Sequence, residues 1–89
     1  MFTSDEPDLE RYRRLVEELL KGPVPQGPTF DGARAVIRTE PASDTGFQAM
    51  CVLLEGALAD PGLEIDDTQV IVPLLRNLAR GMVQVQDLL

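Results

Sequence analysis

Apolar residues recur at helical spacing along most of this chain, and turn residues divide them into four segments. In the first, Leu9, Tyr12, Val16, Leu19 and Leu20 make one stripe of an amphipathic helix. The helix is expected to start behind Ser4 or Asp5, with residues 1–4 frayed. Pro7 fits its first turn, where a missing N–H costs nothing, and Asp5, Glu6 and Asp8 suit the positive end of the helix dipole. Glu10–Arg14, Arg13–Glu17 and Arg14–Glu18 have the spacing of outer-face ion pairs, and Gly22-Pro23 is a stop signal. Residues 22–29 hold three prolines and two glycines and read as a semi-rigid connector. They contain no PxxP core with a basic flank.

Residues 30–39 fit two patterns. Phe30, Ala33, Val36 and Ile37 fit a short helix behind Thr29, whereas Arg34–Arg38 has the β-branched content of a strand. Helix is preferred, and Pro41 ends the segment in either case. A third helix is expected over Gly46–Ala59, with Thr45 and Gln48 at capping-box spacing. Phe47, Met50, Cys51, Leu54, Ala57 and Leu58 line one face and Val52 and Leu53 widen it, so this helix is expected at the centre of the fold. Asp60-Pro61-Gly62 closes it.

The last helix is expected behind Asp66, with Asp66 and Gln69 as its capping box and Ile65 stapled onto Val70. Pro73 falls on the same stripe as Gln69, Arg76 and Arg80, a solvent side on which a gentle bend is tolerated. Val70, Leu74, Leu78, Met82 and Val85 form the opposite stripe. Gly81 weakens the pattern, and Val83–Gln86 alternates like a strand, so the helix is expected to end near Arg80. These patterns predict one all-α domain over residues 1–89, a small three- to four-helix bundle with a C-terminal helical hairpin. The alternative is α+β, with Arg34–Arg38 pairing against Val83–Gln86 in a two-stranded sheet.

Charge changes the picture. The formal net charge of the 89 residues is −7, and residues 39–75 hold seven acids and no base. The eight bases are scattered, which argues against nucleic-acid binding, since phosphate neutralisation needs clustered Lys and Arg. A helix-turn-helix built from the last two helices would open its recognition helix with Asp66 and Asp67, facing phosphates. The acidic stretch points instead to docking on a basic protein surface, with Glu55, Glu64, Asp66 and Asp67 as the patch. Asp60, Glu64, Asp66 and Asp67 also invite a Ca²⁺ or Mg²⁺ reading, but they do not match the EF-hand spacing and are better explained as caps and a solvated loop.

The inventory for catalysis is poor. Histidine is absent, and Cys51 is the single cysteine. No metal, no cofactor and no enzymatic activity are expected, because no base is evident near Ser4, Ser43 or Cys51. Cys51 is expected as a small core residue. A lone cysteine implies no oxidising compartment, the acidic N-terminus lacks a secretory pattern, and the longest apolar run is only Ala49–Leu54, so a cytoplasmic protein without membrane contact is expected. The apolar surplus in residues 70–89 suggests self-association, most simply as a homodimer, with Leu74, Leu75, Leu78 and Met82 at the contact. The function expected is that of a small adaptor, regulator or inhibitor working by protein–protein contact. The alternatives are an acidic, phage-type inhibitor lying in the basic nucleic-acid groove of a target, and an accessory subunit of a larger enzyme.

Overall fold

A computed structural model describes residues 8–89 and shows a helical bundle. Four α-helices follow one another: α1 (Leu9–Lys21), α2 (Pro28–Thr39), α3 (Asp44–Ala59) and α4 (Ile65–Ala79). A 3₁₀ segment, Val85–Leu88, closes the chain, and there is no strand among the described residues. The α+β alternative is therefore corrected. Arg34–Arg38 lies inside α2, because Ala33 and Ile37 are buried on the same helical face and Phe30 packs beside them. The alternation at Val83–Gln86 is real, since Val83 and Val85 are buried and Gln84 and Gln86 exposed. One in, one out is equally satisfied by an extended Gln84 leading into a 3₁₀ turn.

Helix α3 is the hub. Met50, Leu53, Leu54 and Ala57 are fully buried, and α3 packs against α2, α4 and the 3₁₀ segment. Small residues let α2 come close. A methyl group at Gly56 would overlap the Phe30 ring, and one at Gly46 would overlap the carbonyl of Glu40 just beyond α2. Helix α1 lies against α4 and the 3₁₀ segment. The Asn77 side-chain amide donates to the Tyr12 hydroxyl at 2.8 Å, and Arg13 Nε donates to the Asp87 carbonyl at 2.7 Å.

Several local expectations move by a few residues. Asp8 caps α1, its carboxylate accepting the Arg11 N–H at 3.2 Å. The frayed 1–4, the Ser4 or Asp5 cap and Pro7 lie outside the described residues. Ser43, not Thr45, caps α3, its hydroxyl accepting the Gly46 N–H at 3.0 Å. Glu64, not Asp66, is the N-cap of α4, and Ile65 makes no staple, being 78% exposed. The expected outer-face pairs of α1 are replaced by one, Lys21 with Glu17 at 2.7 Å. Helix α4 does end near Arg80. Gly81 takes the left-handed φ of 74°, and the N–H groups of Gly81 and Met82 return to the carbonyls of Leu78 and Asn77, which is the Schellman arrangement. No described helix is long and apolar enough to cross a membrane.

The polar interior has one dominant member. Arg34 is buried on α2 and donates three hydrogen bonds, to the carbonyls of Leu19 and Pro25 and to the Asp31 carboxylate. Its neighbour Arg38 donates to the Leu20 carbonyl at 2.6 Å. Both arginines thus serve carbonyls that the last turn of α1 leaves without helical partners.

Candidate functional site

The first turn of α4 gathers three of the four patch acids. Glu64 and Asp66 are exposed and Asp67 half-buried, all at the helix end whose free N–H groups favour negative charge. Ile65 stands among them with most of its surface in water, the most exposed large apolar side chain described. An open cleft of about 640 Å³ separates this corner from the C-terminal half of α1 and the proline-rich connector. Glu64 and Asp67 line one wall and Arg14, Glu17, Glu18 and Lys21 the other. A smaller recess next to it brings Arg11 and Arg14 toward Asp66 and Asp67. The bases that seemed absent near the acidic stretch are supplied through the fold by α1. None of the three acids forms an ion pair with a described residue, and Glu17 is taken by Lys21. That hydrogen bond and the ammonium charge hold the Glu17 carboxyl below its ordinary value.

Glu55 is not part of this corner. It lines neither recess and stands exposed on α3, close enough to Cys51 for its charge to act on the thiol. Cys51 itself is half-buried rather than a core residue. Burial pushes the thiol pKa up, and the Glu55 carboxylate adds to the effect. Fewer thiolates are therefore present at a given pH than in the unfolded chain, and the thiolate is the reactive form. Alkylation of Cys51 by iodoacetamide near pH 8 is expected to run slower in the folded protein than in urea, and Glu55→Gln is expected to speed the folded reaction. A folded thiol that reacts faster than the unfolded one contradicts this.

The interface expected at Leu74, Leu75, Leu78 and Met82 is corrected in part. Leu74 and Leu78 are core residues, 0% and 2% exposed. Leu75 is half-buried, and only Met82, at 54%, presents a large apolar surface. The surplus that motivated the expectation is mostly used inside one protomer, because Val70, Ile71, Val83, Val85 and Leu88 are buried as well. Among the described residues the large apolar side chains left outside are Phe47, Val52 and Leu58 on α3, Ile65 and Val72 on α4, and Met82 and Leu89 beyond it.

Sequence reasoning missed two features. One is the exposure of Ile65, and a signal for it was present: the positions three and four residues on are Thr68 and Gln69, so no apolar stripe continues from it. The other is a depression of about 450 Å³ floored by Leu20, Leu88 and Leu89 and edged by Arg13, Lys21 and Arg38, with Glu17 its one acidic side chain. Those bases come from two helices, and nothing in their spacing brings them together. Among the described residues no three acids, cysteines or histidines converge as a cation would require, so Asp60, Glu64, Asp66 and Asp67 do not form a chelating set. Asp60 instead closes the turn after α3 by accepting the Gly62 N–H at 2.8 Å. Comparison with protein-family models, with curated proteins and with solved structures finds no match to this chain.

Proposed function

We propose that this protein is a small non-enzymatic interaction module that docks on a partner protein through the first turn of α4. The observation that carries the reading is the environment of Ile65, a large aliphatic side chain held 78% exposed between carboxylates that form no ion pair with a described residue. Exposing an isoleucine costs hydrophobic free energy unless something else covers it. A rim of acids selects what does so, namely an apolar pocket edged by Lys or Arg. In such contacts a buried anchor carries most of the affinity, while the charged rim sets on-rate and specificity. Cys51 suits a cytoplasmic setting, where a lone thiol stays reduced. Glu55 stands apart from the corner, and of the four acids first expected in the patch it is the one with the least part in docking.

The test begins with capture of the partner from native lysate at low and high salt. Ile65→Asp is expected to weaken binding at least about thirtyfold, the effect of losing an anchor worth 2 kcal/mol. The position is exposed and in the first helical turn, so an acid there leaves folding intact. Glu64→Gln with Asp67→Asn is expected to slow association, with a reduced salt dependence and little change in the off-rate. Glu55→Gln is expected to change binding less. Wild-type affinity in both the Ile65 and the Glu64/Asp67 variants would remove this corner as the docking site. An acidic inhibitor of a basic groove would show the reverse weighting, with the acid variants costing more than Ile65→Asp.

A further inference from the structure

We infer that a second copy of this chain supplies a pocket for the Ile65 corner, so that the protein self-associates head to tail. The inference rests on the reading of that corner as a docking element. The receiving site is the depression floored by Leu20, Leu88 and Leu89 and edged by Arg13, Lys21 and Arg38. Its chemistry is the complement of the corner. The corner presents one exposed aliphatic side chain among Glu64, Asp66 and Asp67, and the depression presents an aliphatic floor among three cations and one acidic side chain, Glu17, on a chain whose net charge is −7.

Two of the three cations are fixed in place before any ligand arrives. Arg13 Nε donates to the Asp87 carbonyl at 2.7 Å and Arg38 Nη2 to the Leu20 carbonyl at 2.6 Å. A guanidinium carries five N–H donors, so each keeps others for a carboxylate while its position is held by backbone. Such pre-ordering lowers the entropy that a contact must overcome. Lys21 is shared with Glu17, a pair exposed on both sides, and an incoming carboxylate competes with Glu17 for it at small cost. Leu89 is 53% exposed and gains burial when the isoleucine lands.

The two surfaces are different patches of one protomer, so their contact is heterologous, and a joined pair still offers one free corner at one end and one free pocket at the other. Two chains of charge −7 repel at a distance. At physiological ionic strength that repulsion fades beyond ~8 Å, while the contact charges lie closer than this. Self-association through this contact is therefore weak and concentration-dependent.

Sedimentation at physiological salt tests it. The mass average of the wild type is expected to rise steadily into the high-micromolar range. Ile65→Asp removes the corner and keeps the pocket; Arg38→Gln with Leu89→Asp removes the pocket and keeps the corner, since neither residue lines the cleft beside Glu64 and Asp67. All three positions are exposed, and circular dichroism melts near those of the wild type confirm folding. Each variant alone is expected to stay monomeric, whereas an equimolar mixture forms a dimer and nothing larger. A wild type that is monomeric at high micromolar concentration, a pocket variant that associates like the wild type, or a mixture that stays monomeric overturns the inference. The docking reading is separable. If Ile65→Asp loses the lysate partner and the pocket variant keeps it, the corner stands as a docking site whatever the sedimentation result.

Discussion

Replacing Arg34 with leucine is expected to destabilise the protein by about 2–6 kcal/mol, because two carbonyls it serves are left buried without donors at ~1–3 kcal/mol each. The side chain is 7% exposed, and its bonds run to Leu19 at 2.6 Å, Pro25 at 2.8 Å and Asp31 at 3.0 Å. It thereby joins the end of α1, the connector and the first turns of α2. Since about 1 kcal/mol corresponds to 4–8 °C in a domain of this size, the melting temperature is expected to fall by at least ~8 °C. Arg34→Lys keeps the charge but not the planar fork, and is expected to fall between the two. Arg38→Ala removes a single bond at an exposed residue and is expected to cost about 1 kcal/mol or less. A leucine variant that melts within two or three degrees of the wild type would show that the connector readily finds other donors. The consequence for the proposed docking surfaces is direct, because the last turn of α1 carries Lys21 and lines both the cleft and the pocket. Loosening that turn should blur both surfaces before the protein unfolds.

The helices were legible where a stripe was long enough to name its own face. Leu9 through Leu20 specified α1, and the apolar excess of α3 identified it as the central helix. Caps were less legible, because Ser43-Asp44-Thr45 and Glu64-Ile65-Asp66 each offer adjacent candidates, and the choice depends on where the incoming backbone turns. Ser43 is chosen by its extended ψ of 164° and by Gly46, whose bare Cα is what the Glu40 carbonyl requires. The helix-or-strand ambiguity of residues 30–39 was decided by tertiary packing. Val36 and Ile37 have strand propensity, yet Ile37 is fully buried from a helical face. Arg34 was illegible for a related reason. Its partners at Leu19 and Pro25 are fifteen and nine residues away, and no local pattern announces a guanidinium that will be enclosed.

Charge taught the same lesson at the candidate site. Distance along the chain made residues 39–75 look unneutralised, but Arg11 and Arg14 of α1 face the first turn of α4 across a narrow recess. The fold groups Glu64, Asp66 and Asp67 at one corner and leaves Glu55 elsewhere. The exposed isoleucine beside them was hidden by an expectation of stapling. Ile65 was assigned inward because Val70 lay at the right spacing, and Val70 is indeed buried. With Glu64 rather than Asp66 as the N-cap, Ile65 becomes the first helical residue, and its side chain leaves the core.

Leu74→Ala against Met82→Ala separates a core helix from an interface helix. Both residues were expected at a contact between copies, and the fold gives them opposite settings, 0% and 54% exposed. Truncating a fully buried leucine removes its transfer free energy and leaves a cavity, a loss of about 2–5 kcal/mol. The total stability of a domain of this size is only ~5–13 kcal/mol, so a large share of it disappears. Leu78→Ala is expected to behave like Leu74→Ala. Met82→Ala, on the turn after α4, is expected to stay within about 0.5 kcal/mol of the wild type. Urea unfolding at low protein concentration is the measurement, with the slope unchanged and the midpoint moved for the two leucines. Concentration matters, since stability drawn from association would rise with it, whereas core stability would not. If Leu74→Ala unfolds like the wild type when dilute and loses only a concentration-dependent component, α4 turns its leucines toward a neighbour after all. The corner at Ile65 would then be one part of a larger interface.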